Sequence, residues 1–227
     1  SVSVIDTTTR AVVREIQLPN GSGLLRDVRV SPDGHYAVVT HQLSRFQLPT
    51  TQVERGWINT NAVSLIDVRE LRRINTVLLD SIDAGAANPW AAAWSADGRS
   101  FGVTHAGTHE LSMVDFPALL ARLARFSGES PPGTAGVSDM ASQKASEVPD
   151  DLSFLVGLRR RIRLGDADRG PRALLLTSGK AYVANYFSDS LTIVDRAANG
   201  PAVESFALQA PAAPSLARRG EALFNDA

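Results

Sequence analysis

Val38-Val39-Thr40-His41, Gly102-Val103-Thr104-His105 and Tyr182-Val183-Ala184-Asn185 are three versions of one tetrapeptide. Each sits at the same place in a longer recurring pattern. A turn precedes it: Ser31-Pro32-Asp33-Gly34, Ser95-Ala96-Asp97-Gly98 or Thr177-Ser178-Gly179-Lys180. A run ending in aspartate follows it: Ser64-Leu65-Ile66-Asp67, Ser112-Met113-Val114-Asp115 or Thr192-Ile193-Val194-Asp195, with a further copy, Ser3-Val4-Ile5-Asp6, at the start of the chain. Internal repetition of this kind means that one supersecondary unit is used several times, and it constrains the fold more tightly than residue propensities do.

The unit from Gly170 to Leu208 is the clearest copy. Four short runs suited to strands, Arg172 to Leu176, Ala181 to Asn185, Leu191 to Val194 and Val203 to Leu208, are separated by turn residues. Four short antiparallel strands in about 40 residues match one blade of a β-propeller. The same reading gives a second blade from Arg26 to Leu79. A third has strands at Trp90 to Trp94, Phe101 to Thr104, Leu111 to Val114 and, displaced, Arg160 to Leu164. Val2 to Ile5 and Val12 to Leu18 form only the outer half of a blade. The expected fold is therefore all-β: about three and a half blades over residues 1–213, a partial ring with a helical insertion. An end blade has an uncovered face, so further blades or a partner chain are expected to cover the open ends.

Two segments interrupt the pattern. Gln42 to Thr60 is too long for a hairpin turn and carries Arg45, Arg55 and Trp57, which make it either a binding loop or a small packed loop. Residues 116–159 form the second insertion. Pro117 suits a first helical position, and Ala118 to Phe126 places Leu119, Leu120 and Leu123 on one helical face. Residues 127–147 read as a mobile linker rich in small and turn-forming residues. Asp150 to Leu158 reads as a second helix, with its acidic residues at the N-terminus.

Charge and composition exclude several classes of function. The formal net charge is −1, from 23 basic and 24 acidic side chains, so nothing favours nucleic acid as a partner. No apolar run is long enough to cross a bilayer as a helix. Cysteine is absent, which excludes disulfides, thiolate metal sites and covalent haem attachment within these residues. The chain starts at Ser1, which suggests either a removed leader or a piece of a longer polypeptide.

The tetrapeptides and their flanking Ser-Pro-Asp-Gly and Val-x-Ile-Asp elements resemble the YVTN family of β-propellers. That resemblance covers nearly all residues outside the two insertions and implies a scaffold fold rather than one activity. The final segment, Pro214 to Ala227, contains Arg219-Gly220-Glu221-Ala222-Leu223-Phe224 and resembles the opening helix of c-type cytochrome domains in dihaem peroxidase-like proteins. It implies a linker and the start of such a domain at 214–227. Haem c would then lie in the full-length protein, with no cofactor within these residues, and the location would be periplasmic or extracellular.

His41 and His105 end equivalent strands, and Asn185 holds that position in the next copy. His109, Asn61 and Asp189 each lie six residues before the closing aspartate of their copies. These positions are expected to gather near one rim. His41, His105 and His109, with Arg45, Arg55 and Trp57, are therefore the candidate ligand-binding residues. The alternative is that each polar side chain satisfies the backbone of its own blade. The closing aspartates Asp6, Asp67, Asp115 and Asp195 are read as turn residues, so no catalytic or metal-binding set is assigned. The leading functional expectation is a non-catalytic scaffold or docking module linked to c-type cytochrome chemistry. The alternatives are a stand-alone module that binds a protein, peptide or cell-wall ligand, and a metal-dependent enzyme.

Overall fold

The computed structural model describes residues 1–44, 58–126, 144–196, 202–209 and 213–227. Its elements are β1 (Val2–Asp6) and β2 (Ala11–Ile16); β3 (Ser22–Val30), β4 (Tyr36–Ser44), β5 (Asn59–Asp67) and β6 (Arg72–Leu78); β7 (Pro89–Trp94), β8 (Ser100–His105), β9 (Glu110–Asp115) and β10 (Arg159–Arg163); and β11 (Pro171–Leu176), β12 (Lys180–Asn185), β13 (Ser190–Asp195) and β14 (Val203–Ala207). Helix α1 (Phe116–Ala124) follows β9, and α2 (Leu216–Asn225) follows the last sheet. All pairing is antiparallel. One two-stranded sheet and three four-stranded sheets, each in simple meander order, give the half blade and three full blades of a β-propeller.

The turn chemistry repeats from blade to blade. Ser31 Oγ donates to Asp33 Oδ1 and accepts the Tyr36 N–H at 3.0 Å, and Gly34 closes the corner at φ +73°. Ser95, Asp97, Ser100 and Gly98 reproduce this arrangement, with φ +66° at the glycine. The closing aspartates are structural as well. Asp6 accepts the Thr8 and Thr9 amides, Asp67 accepts those of Arg69 and Glu70, and Asp115 caps α1 through Ala118 N at 3.0 Å. A carboxylate at a corner satisfies amides that the strand ladder leaves free.

Apolar faces meet between neighbouring blades. Ile16, Ala37, Val39 and Ile66 join the half blade to the second blade. Leu111, Met113 and Ile162 pack against Leu176, Ala181 and Val183 between the third blade and the fourth. The largest cluster lies between the second and third blades, where Val38, Leu65, Val77, Trp94 and Phe101 meet Phe116, Leu119 and Leu123 of α1. The insertion is thus a wedge that widens this interface. At the two ends the faces are bare: Val12, Val13, Leu24, Val28 and Val30 are exposed at one, and Leu175, Phe206 and Leu208 at the other.

The expected second helix at Asp150 to Leu158 does not form. Val148–Asp150 is a 3₁₀ turn, and successive i→i+3 bonds follow: Phe154 N to Asp151 O, Val156 N to Ser153 O and Leu158 N to Leu155 O. Asp151 Oδ1 takes both the Ser153 N–H and the Ser153 hydroxyl, and Gly157 sits at φ +75°. That local bonding competes with the helical ladder, and the apolar residues still pack: Phe154, Leu155 and Leu158 join the core. Most of the expected linker, residues 127–143, lies outside the described residues. The long rim loop is shorter than its sequence suggested, because β4 runs on to Ser44 and β5 begins at Asn59. Arg45, Arg55 and Trp57 lie outside the described residues.

Candidate functional site

His41 lies within β4, which runs on past it to Ser44, whereas His105 closes β8, and both are fully buried. Nδ1 of His105 donates to Ala86 O at 3.0 Å, which leaves Nε2 to accept the Ser112 hydroxyl at 2.7 Å. His41 is held in the same way, by Gln42 O and by Ser64, whose oxygen lies 2.5 Å from Thr76 Oγ1. In the last blade Asn185 takes the place of the imidazole and donates to Thr192 Oγ1 at 2.7 Å. Burial pushes the His105 pKa down from 6.5 to about 3, and Arg159 and Arg161 add to the shift. Burial lowers His41 too. Both rings are neutral, and both of their nitrogens are engaged inside the blade. They tie adjacent strands together, through Ser64 on β5 and Ser112 on β9. Among the described residues no three His, Asp or Glu side chains stand close enough to hold a metal ion, so His41, His105 and His109 share no centre.

Two loop aspartates do related work, and the repeat pattern gave no sign of them. Asp80 accepts the Asn61 backbone N–H at 2.6 Å, the Asn61 side-chain amide and the Ala86 N–H. Asp168 is 1% exposed and accepts Ser190 Oγ, Thr192 Oγ1, Ser205 Oγ and Gly165 N.

The other equivalent positions do gather on one rim, and there they hold α2. His109 and Asp189 occupy matching left-handed corners, at φ 56° and 48°. His109 Nδ1 accepts the Gly170 N–H, and its Nε2 faces Asp226 Oδ1 at 2.8 Å. Asp189 pairs with Arg218 at 3.2 Å. Asn88, bonded to Asn61, donates to Asn225 O at 3.2 Å.

Beside these contacts runs a ladder of alternating guanidinium groups and aromatic rings. Arg26 lies 4.1 Å from Trp90, Arg172 lies 4.1 Å from both Trp90 and Tyr186, and Arg218 lies 4.0 Å from Tyr186. Phe187 also faces Arg172, at 4.7 Å. Arg26, Trp90 and Arg172 come from the first strands of successive blades. Each stands five residues before its blade's turn at Ser31, Ser95 or Thr177. The pairing register slips around each of them, between Gly23 and Asp27, Pro89 and Ala92, and Pro171 and Ala173. A bulge re-aims a side chain, and here it does so in the same column of three blades. Sequence reasoning missed this set, although aligning the copies on their turns brings Arg26, Trp90 and Arg172 into register.

Gly170 supports the ladder from below. It is at φ +66°, and a Cβ there would run into the Phe187 ring. Gly170→Ala is expected to destabilise the protein by about 2–4 kcal/mol, combining backbone strain with displacement of Phe187. Chemical denaturation measures this, and near-ultraviolet circular dichroism should report the moved ring.

No family model matches the chain. Hydrazine synthase subunit beta from Kuenenia stuttgartiensis is 30% identical over 197 residues, covering 86% of this chain and 46% of that protein. A solved chain of Kuenenia stuttgartiensis hydrazine synthase superposes with a TM-score of 0.69 at 25% identity, covering 86% of this chain and 51% of that one. The β-propeller domain of the trilobed protease from Pyrococcus furiosus, at 11% identity, gives a TM-score of 0.42 over 80% of this chain and 41% of that one. The chain spans about half the length of the hydrazine synthase relatives it matches.

Proposed function

We propose that this chain is a non-catalytic propeller scaffold within a larger, exported assembly linked to c-type cytochrome chemistry. The observation that carries this reading is the 30% identity over 197 residues to a protein named as one subunit of an enzyme. Two features support it. The bare apolar faces of the end blades suit burial by further blades or by a partner. The polar residues that looked like candidate ligands, His41 and His105, are used to hold strands together. In this reading the haem chemistry belongs to a following domain or a partner subunit, and the propeller positions it.

The test is purification of the natural full-length protein from its source, followed by haem staining and native mass spectrometry. Covalent haem on the same polypeptide, or on a polypeptide that stays bound through gel filtration, is the expected result. A haem-free monomer with no haem-bearing partner would overturn the reading.

A further inference from the structure

Helix α2 is held in an unusual way for an amphipathic segment. None of its residues is buried, and Leu216, Leu223 and Phe224 are 78%, 77% and 89% exposed. Its polar side faces the propeller instead. Glu221 carries the central contact: its Oε1 takes Arg172 Nη1 at 3.3 Å, and its Oε2 lies 3.5 Å from the Tyr186 hydroxyl. Burial of apolar surface therefore adds little to the docking, which rests on ion pairs and on the stacking of Arg218 over Tyr186.

The receiving surface is built more firmly than the helix it holds. Arg172 lies against three rings, 4.1 Å from Trp90 and Tyr186 and 4.7 Å from Phe187, which restricts the movement of its guanidinium. A planar fork presents several N–H donors in a set geometry that suits a carboxylate. Glu221 satisfies only part of it: among the described residues, the Arg172 Nε is buried and has no hydrogen-bond partner. A donor left unpaired in this way fits a receptor whose present occupant is an imperfect match.

We propose that the Arg172–Trp90–Tyr186 cage is a carboxylate-binding site, with Glu221 of α2 as its resident, displaceable occupant. The ligand class is a small organic acid whose carboxylate pairs with Arg172 and the Tyr186 hydroxyl. Binding such an acid would release α2 from this face, so occupancy of the site would control where α2 lies.

Acetate is the probe, because it corresponds to the atoms that Glu221→Ala removes. In the full chain, this variant is expected to raise amide exchange in residues 216–225 about fivefold, from loss of a charge-assisted bond. Acetate, titrated against chloride at constant ionic strength, should then give saturable shifts of the Trp90 indole signal. Wild type, where acetate must displace Glu221, should show the same shift only at higher acetate, with amide exchange in residues 216–225 rising in step, and Glu221→Ala combined with Arg172→Lys should lose it. Unchanged exchange in Glu221→Ala, or acetate shifts that fail to saturate or persist with Lys at 172, would overturn the proposal. The spectra themselves report whether each variant is folded. Neither readout depends on haem or on partner subunits, so the assembly reading stands or falls separately.

Discussion

Asp168→Ala is expected to cost about 3–5 kcal/mol, the range seen when a buried polar network loses its charged centre. The carboxylate lies in the loop between β10 and β11 and gathers four donors. Ser190 and Thr192 reach it from β13 at 2.7 and 2.8 Å, Ser205 from β14, and Gly165 N from its own loop at 3.1 Å. Removing it strands three hydroxyls and an amide in a site that is 1% exposed, and each unmade buried bond costs about 1–3 kcal/mol if nothing relaxes. Asp168→Asn separates shape from charge. The amide keeps the volume, but its NH₂ must face donors, so a loss of about 2–3 kcal/mol is expected. Urea unfolding of the three proteins at neutral pH gives the comparison. An Asn variant as stable as wild type would show that the hub is satisfied by packing alone. The pKa of Asp168 follows the same balance: burial pushes it up, while the hydroxyls of Ser205, Ser190 and Thr192 and the Gly165 amide outweigh that and hold it below 3.8. Its stabilising contribution is therefore present above the unfolded value and is lost only as the pH falls through the lowered folded value.

The repeat was legible because each element carries its own local chemistry. Ser-x-Asp-Gly can close its corner with bonds from its own residues, and a strand-ending aspartate caps the amides just beyond it. These features need no distant partner, so they are visible in the sequence. Asp80 and Asp168 are different. They sit in loops of unequal length, and Asp168 has meaning only through strands that arrive some 20 to 40 residues later. Arg172 and Glu221 are separated by 49 positions and meet only because α2 folds back over the blades. His41 and His105 looked like site residues because histidine at a strand end is chemically versatile, and the sequence could not show that Ser64 and Ser112 would take up their Nε2 atoms. Asp150 to Leu158 was misread for the opposite reason. Its apolar spacing suits a helix, but the Asp151–Ser153 turn and Gly157 use those apolar residues without one.

The neutral histidines make the stability of this chain depend on pH well above the carboxylate range. His105 has a pKa of about 3 when folded and 6.5 as the reference value. Between those values the unfolded chain binds the proton and the folded chain does not, so stability rises with pH. The contribution is complete above pH 6.5 and is lost as the pH falls, by about 2 kcal/mol at pH 5 and about 4–5 kcal/mol near pH 3. His41, lowered in the same direction by burial, adds to this slope. Asp168 acts only below 3.8, so the interval from pH 6.5 to 4.5 isolates the imidazoles. The variant that tests this is His105→Asn, because Asn185 already fills the matching position in the last blade and bonds Thr192 there. At neutral pH the substitution is expected to cost about 1–3 kcal/mol, from the smaller side chain and the weakened bond to Ala86 O. Its loss of stability from pH 7.5 to 5 should nevertheless be smaller than that of wild type by about 2 kcal/mol. Urea midpoints for the two proteins at these pH values measure both effects. Parallel pH profiles would mean that the His105 imidazole is protonated in the folded blade and that its bond to Ser112 does not require the neutral ring.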